Sequence, residues 1–132
     1  AGLPGLVIKI INKSLDCFLV EPIKKKADFL KSSAKGLGLD VTVAQENYEN
    51  IKDGPILSAD VITARALMPL KGLLKLFSNN INNGHIGIFP KGRSWEKELN
   101  DAKKHWKIKY RLVTSETNKE SKILIVEGLD KK

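Results

Sequence analysis

The sequence contains a single cysteine, Cys17, in 132 residues, so no disulfide can form within the chain. That is the usage expected of a reducing cytoplasm. Cys17 lies in an apolar run and reads as a small buried hydrophobe rather than a nucleophile. Only two histidines are present, His85 and His105, and neither has cysteine or acidic neighbours at ligand spacing, so no metal site is expected. No apolar run approaches the roughly 18 residues that a membrane span needs. The first residues carry no charged segment followed by a long apolar one, so no signal peptide is expected either. The nucleophile turn G-x-S-x-G and the phosphate-binding lysine loop of nucleotide hydrolases are both missing.

The hydrophobic share of 42% is enough for one core, and the length fits a single domain over 1–132, with no internal repeat and no composition break. The net charge is +8 and it is unevenly distributed. Residues 1–66 hold nine Lys/Arg and eight Asp/Glu, whereas residues 67–132 hold fourteen and seven. A polyanionic partner is therefore favoured, and its surface is weighted towards the second half.

Pattern reading gives alternating elements. Leu6–Ile11 is an apolar helix after a Gly/Pro turn. Asp16–Glu21 is a buried strand that ends in an acid. Pro22 opens a helix to about Lys35, with Ile23, Ala27, Leu30 and Ala34 on one face and Gly36 and Gly38 as its stop. Val41–Ala44 is a strand, Glu46–Lys52 a turn or short helix, and Asp53-Gly54-Pro55 a break. Ala59–Thr63 is a strand, and Pro69 opens a helix carrying Leu70, Leu73, Leu74 and Phe77. Asn79–Gly84 reads as a polar loop and His85–Pro90 as a strand. Ser94 reads as the N-cap of a helix to about His105, although Lys97 occupies the capping-box position. Trp106–Thr114 and Lys122–Glu127 are two strands that pair antiparallel at the sheet edge, and Lys131-Lys132 is expected to fray. This alternation predicts an α/β domain with a mostly parallel sheet.

In such sheets ligands bind beyond the carboxyl ends of the strands. The residues there are Glu21, the 45–49 stretch, Thr63-Ala64-Arg65 and Lys91-Gly92-Arg93. Glu21 stands sixteen residues after Gly5, close to the offset of about twenty at which an acid accepts both hydroxyls of a nucleotide ribose. Gly2-x-x-Gly5 with Glu21 suits a nicotinamide dinucleotide or S-adenosylmethionine equally. An oxidoreductase and a methyltransferase thus remain open on these residues. The basic helix after Lys91, interleaved with Trp95 and Trp106, would also serve a non-catalytic RNA-binding module.

Four pieces in one order carry a resemblance. They are A-G-L-P-G at 1–5, L-V-E-P-I-K-K-K-A-D-F-L at 19–30, A-D-V-I-T-A-R-A at 59–66 and F-P-K-G-R-S-W-E-K-E-L at 89–99. Together they resemble the RsmG (GidB) family of bacterial enzymes that methylate N7 of a guanine in 16S ribosomal RNA. The resemblance implies a class I, Rossmann-like methyltransferase fold and S-adenosyl-L-methionine as cofactor. It also implies small-subunit RNA as partner, without a metal or a membrane, for a cytoplasmic monomer. It places Gly2 and Leu3 in the cofactor's glycine loop, Glu21 at the ribose-binding acid, and Tyr48 and Glu49 at the adenine end. Arg65 falls at the arginine of an S/A-R-A motif and is counted with the cofactor contacts, and it is also a candidate to hold phosphate or base. Lys91 falls at a K-G element facing RNA or the transferred methyl group, with Arg93 as a second RNA candidate; no catalytic residue is assigned. Asn47 stands where the family commonly has arginine. The family's first strand, most of its glycine loop and a helical segment would lie upstream of Ala1. The expectation is an N-terminally incomplete domain that folds poorly and binds cofactor weakly if it truly starts there.

Overall fold

The computed structural model describes residues 2–51 and 58–132. The break expected at Asp53-Gly54-Pro55 lies outside the described residues. The chain forms two compact units, Ala1–Ile56 and Leu57–Lys132, each with a sheet of its own.

The first unit runs α1 (Gly5–Ile11), β1 (Cys17–Val20), α2 (Lys24–Gly36), β2 (Val41–Ala44) and a 3-10 turn at Tyr48–Asn50. β1 and β2 pair in parallel from Cys17↔Val41 to Val20↔Ala44, and Glu21 N–H extends the ladder to the Ala44 carbonyl at 3.0 Å. Gly2 starts the turn into α1 with φ +81°, and a side chain there would collide with Leu30 of α2. A Cβ on Gly5 would sit 2.7 Å from Leu19 of β1. Both glycines thus permit close backbone approach, the service that only a missing Cβ provides. The apolar side chains of α1 are not its buried face: Val7, Ile8, Ile10 and Ile11 are exposed, while Lys9 is buried. Its ammonium donates to the carbonyls of Lys13 and Leu15, which follow the helix.

α2 buries Ala27, Leu30 and Ala34 as its spacing predicts. Ile23 does not join them and is exposed. It is the N-cap, with extended backbone at ψ 118°, so it falls off the helical period. Gly38, at φ +66°, ends the helix. Its N–H reaches the Lys35 carbonyl and that of Leu39 reaches Ala34, closing a Schellman motif over buried Leu39.

The second unit runs β3 (Val61–Thr63), α3 (Leu70–Asn82), β4 (Ile86–Lys91), α4 (Trp95–Lys103), β5 (Trp106–Thr114) and β6 (Lys122–Lys131). The strand order is β3-β4-β6-β5, with β3–β4 parallel and both contacts of β6 antiparallel. β5 is thus the outer strand, and the expected antiparallel edge is present. The core joins Leu70, Leu73, Leu74, Phe77 and Ile81 of α3 to Phe89, Leu124 and Val126, with the Phe77 and Phe89 rings stacked at 6.5 Å. Gly87 makes room for Phe89, whose ring edge would lie 2.6 Å from a Cβ at that position.

Three expectations are corrected here. Asn79–Asn82 is helix rather than loop, because α3 continues past a kink at Phe77 and buries Asn80 and Ile81. Ser94 makes no side-chain cap to the α4 backbone; its hydroxyl instead bonds Glu98 Oε1 at 3.3 Å. Lys131 pairs with Trp106, and Lys132 N–H reaches the His105 carbonyl at 3.0 Å, so the end of the chain is fastened rather than frayed.

Candidate functional site

In the first unit the carboxyl end of β1 delivers Glu21, which is 5% exposed. Its carboxylate accepts the Ile23 N–H at 3.4 Å and lies close enough to the Tyr48 hydroxyl to act on its ionisation. Burial first, and then the neighbouring Glu21 carboxylate, push the Tyr48 phenol above its ordinary range. Two residues singled out far apart in sequence, Glu21 and Tyr48, therefore meet. A carboxylate offers about four acceptor positions, so acceptor capacity remains on Glu21 beyond the Ile23 bond. Glu49 follows on the exposed side of the 3-10 turn. Asn47 accepts the Glu49 N–H at 3.3 Å through Oδ1 and so caps that turn. The position that departs from the family's arginine has a local structural task. Leu3 is exposed beside Gly2 at the start of α1.

In the second unit the carboxyl ends of β3 and β4 deliver the remaining candidates. Arg65 is exposed in the β3–α3 loop, and Ala66 next to it has φ +52°. Thr63 Oγ1, at the end of β3, is buried without a hydrogen-bond partner among the described residues. Arg93 is also exposed and pairs with Glu120 at 3.0 Å.

Lys91, the last residue of β4, is not at the surface; it is 8% exposed. Its ammonium donates to the Met68 carbonyl at 2.9 Å and pairs with Glu98 Oε2 at 2.9 Å. The same Glu98 oxygen accepts the Leu70 N–H at 2.9 Å, the first amide of α3. Burial pushes the Glu98 carboxyl up, but the bonds from Lys91, Leu70 and Ser94 and the Lys91 charge outweigh it, leaving the group below its ordinary range.

Glu98 escapes a reading of the sequence. The capping-box position after Ser94 holds Lys97, and the acid lies one residue later, where it serves another helix. The retrievable signal was the pair Ser94 and Glu98 at helical spacing.

Among the described residues no group of histidine, cysteine and acidic side chains is arranged to hold a metal ion. No helix among them is long and apolar enough to cross a membrane.

Comparison with solved structures identifies the architecture. A mutant of MtNAS superposes with a TM-score of 0.68 at 17% identity, over 96% of this chain and 49% of that one. The B. subtilis tRNA methyltransferase TrmK superposes at 0.62 and 16% identity, over 94% and 54%. The Streptococcus mutans protein SMU.1697c in complex with SAH superposes at 0.59 and 11% identity, over 95% and 82%. The fold is that of class I methyltransferases, α/β with parallel pairing and antiparallel outer strands.

Among curated sequences, the Ribosomal RNA small subunit methyltransferase G of Ruegeria pomeroyi is 36% identical over 97% of this chain and 63% of its own length. The protein of the same name from Caulobacter vibrioides is 36% identical over 99% and 60%. The chain thus spans less than two thirds of the length of these relatives. A family model described as rRNA small subunit methyltransferase G matches residues 1–125. The motif at the start of α1, the acid after β1, the A-R-A after β3 and the K-G after β4 all fall inside that match, and the chain belongs to the GidB family.

Proposed function

We propose that the protein methylates N7 of a guanine in 16S ribosomal RNA, with S-adenosyl-L-methionine as donor. The observation that carries this reading is the family match over residues 1–125, with Glu21 buried and Tyr48 against it. A carboxylate at a strand's carboxyl end with acceptor capacity left over fits the two hydroxyls of an adenosine ribose. Thr63 Oγ1 and the exposed Arg65 leave polar groups for a ligand at the end of β3. The SAH-bound fold relative supports a cofactor of that class. A single family model spanning both compact units supports one domain over 1–132. We read it as a cytoplasmic monomer that acts on RNA without a metal.

When bound, the cofactor would supply a methyl group activated on a sulfonium centre. In this assignment Glu21 orients the ribose, and Gly2 and Leu3 line the cofactor. Tyr48 and Glu49 border the adenine end, while Arg65 and Arg93 hold phosphate or base. Guanine N7 carries a lone pair and no proton in the neutral base. No side chain has to remove a proton before transfer, so positioning and electrostatics suffice. That agrees with a set of candidates lacking an acid/base pair. The target guanine must be accessible, which means unpaired or extruded from its stack.

The test is transfer of a labelled methyl group to small-subunit RNA lacking the modification, with nucleoside digestion and mass analysis of the product. Formation of N7-methylguanosine is expected. Calorimetric binding of NAD with none of S-adenosylmethionine would overturn the reading in favour of an oxidoreductase. RNA binding with no cofactor binding at all would leave a binding module.

A further inference from the structure

We infer that Lys91 and Glu98 are positioning residues that hold the Arg65-bearing loop in place without touching substrate themselves. The inference rests on the proposed RNA methylation for its consequence, though its geometry stands apart from it. Residues 64–69 join β3 to α3. One end of this loop is fixed by β3, where Thr63 pairs with Ile88 of β4. The other end is fixed by the ion pair. Lys91 donates to the Met68 carbonyl and Glu98 accepts the Leu70 N–H, each at 2.9 Å, so both sides of Pro69 are fastened. Met68 is further confined by α3, since its Sδ lies 2.8 Å from where a Cβ on Gly72 would be.

Between these anchors Ala66 takes φ +52°, a left-handed conformation that an alanine adopts only when its surroundings impose it. Arg65 directly precedes it and is exposed. The clamp thus pins a short loop whose strained residue is the neighbour of its one charged side chain. Stability alone is a weak reason for this arrangement. A buried ion pair is often no more stabilising than apolar residues of the same volume. Its particular product here is a fixed backbone at Met68 and Leu70. Lys91, the residue placed by resemblance at the reaction side, then acts through Arg65.

The discriminating variant is the double replacement Lys91→Met with Glu98→Leu, which removes both charges and keeps the volume. Three quantities are measured on it: the thermal midpoint, amide hydrogen exchange, and methyl transfer to undermodified small-subunit RNA. The midpoint is expected to stay within a few degrees of the parent, and protection of β4 and β6 is retained. Exchange in 64–70 is expected to rise by about tenfold. The kcat/KM for RNA should fall on the order of 100-fold, mostly through KM, with the KM for the cofactor unchanged. The single variant Lys91→Arg, keeping the charge, should recover part of the loss.

Unchanged exchange in 64–70 overturns the inference, as does a double variant with parental RNA kinetics. A double variant that loses fold and activity together assigns the pair to stability and overturns it as well. If the parent methylates no RNA, the proposed function fails, and the exchange measurement still decides whether the clamp exists.

Discussion

Glu98 Oε2 accepts the Leu70 N–H at 2.9 Å while lying 2.9 Å from Lys91 Nζ, so one carboxylate oxygen joins the end of β4 to the start of α3. The Glu98 carboxyl is held below its ordinary value of 4.5. The ionised form is therefore favoured by folding. That contribution is fully present above the unfolded value and is lost as pH falls through the lower folded value. Acid titration of stability should show a loss beginning below about pH 4.5 that is reduced in Glu98→Gln. At neutral pH the variant should be less stable by about 1.5–3 kcal/mol, because Lys91 is left buried with a weaker partner. Parallel acid limbs for the two proteins in denaturant titrations would show that Glu98 is not the group responsible.

The Tyr48–Glu21 contact makes a separate prediction. Burial raises the Tyr48 phenol first, and the neighbouring Glu21 carboxylate raises it further. Glu21→Gln removes the charge and leaves the burial. The phenol should then titrate lower than in the parent, yet still above the ordinary value of 10. Phenolate absorbance followed through an alkaline titration, with Tyr110 removed by Tyr110→Phe in both proteins, measures this. Identical curves would mean that the two side chains do not meet in solution.

The glycines around α2 separate two roles that look alike in sequence. Gly36 is the last helical residue, and nothing crowds a Cβ there. Gly38 has equal space, but its φ is +66°. Gly36→Ala should stabilise by about 0.5–1 kcal/mol through the helix propensity of alanine. Gly38→Ala should destabilise by about 1–2 kcal/mol, since the left-handed residue of the Schellman motif is strained by a side chain. Denaturation midpoints of the two variants on opposite sides of the parent are the expected result. Gains from both substitutions would contradict the assigned cap.

These elements also show what the sequence made legible. Periodic apolar runs located every strand and helix of the second unit, because core contacts such as Leu73, Leu74 and Phe89 repeat at the periods of their elements. Strand-end position and the offset from Gly5 marked Glu21, and strand-end position with a resemblance marked Tyr48; bringing them together needed the 3-10 turn that Asn47 caps. Periodicity failed where a polar side chain was recruited across the fold. Lys9 is buried by carbonyls just past the end of its own helix, whereas buried Lys91 and half-buried Glu98 bond a backbone segment more than twenty residues away. The Lys91 and Glu98 bonds obey no local spacing. An exposed reading of a lysine or a glutamate is the default that tertiary structure overrides.

Arg93 offers the most direct probe of the proposed RNA contact. Its guanidinium pairs with Glu120 at 3.0 Å, and both side chains are largely exposed, at 85% and 61%. A pair so exposed contributes little to stability, so substitutions at either end should change it by less than about 0.5 kcal/mol. Changes in RNA affinity can then be assigned to charge rather than to folding. Glu120→Gln frees the arginine and removes a negative charge that repels phosphate. RNA affinity at low salt should rise about 2–5-fold, and the dependence of log affinity on log salt should steepen by up to about one. Arg93→Gln should weaken binding and flatten that slope by a similar amount. Filter binding of a small-subunit RNA fragment across a salt series reads both. If neither variant moves affinity or slope, Arg93 makes no phosphate contact, and the basic surface that meets RNA must be sought on the outer strand, where Lys107 and Lys109 alternate with half-buried Ile108 and Tyr110.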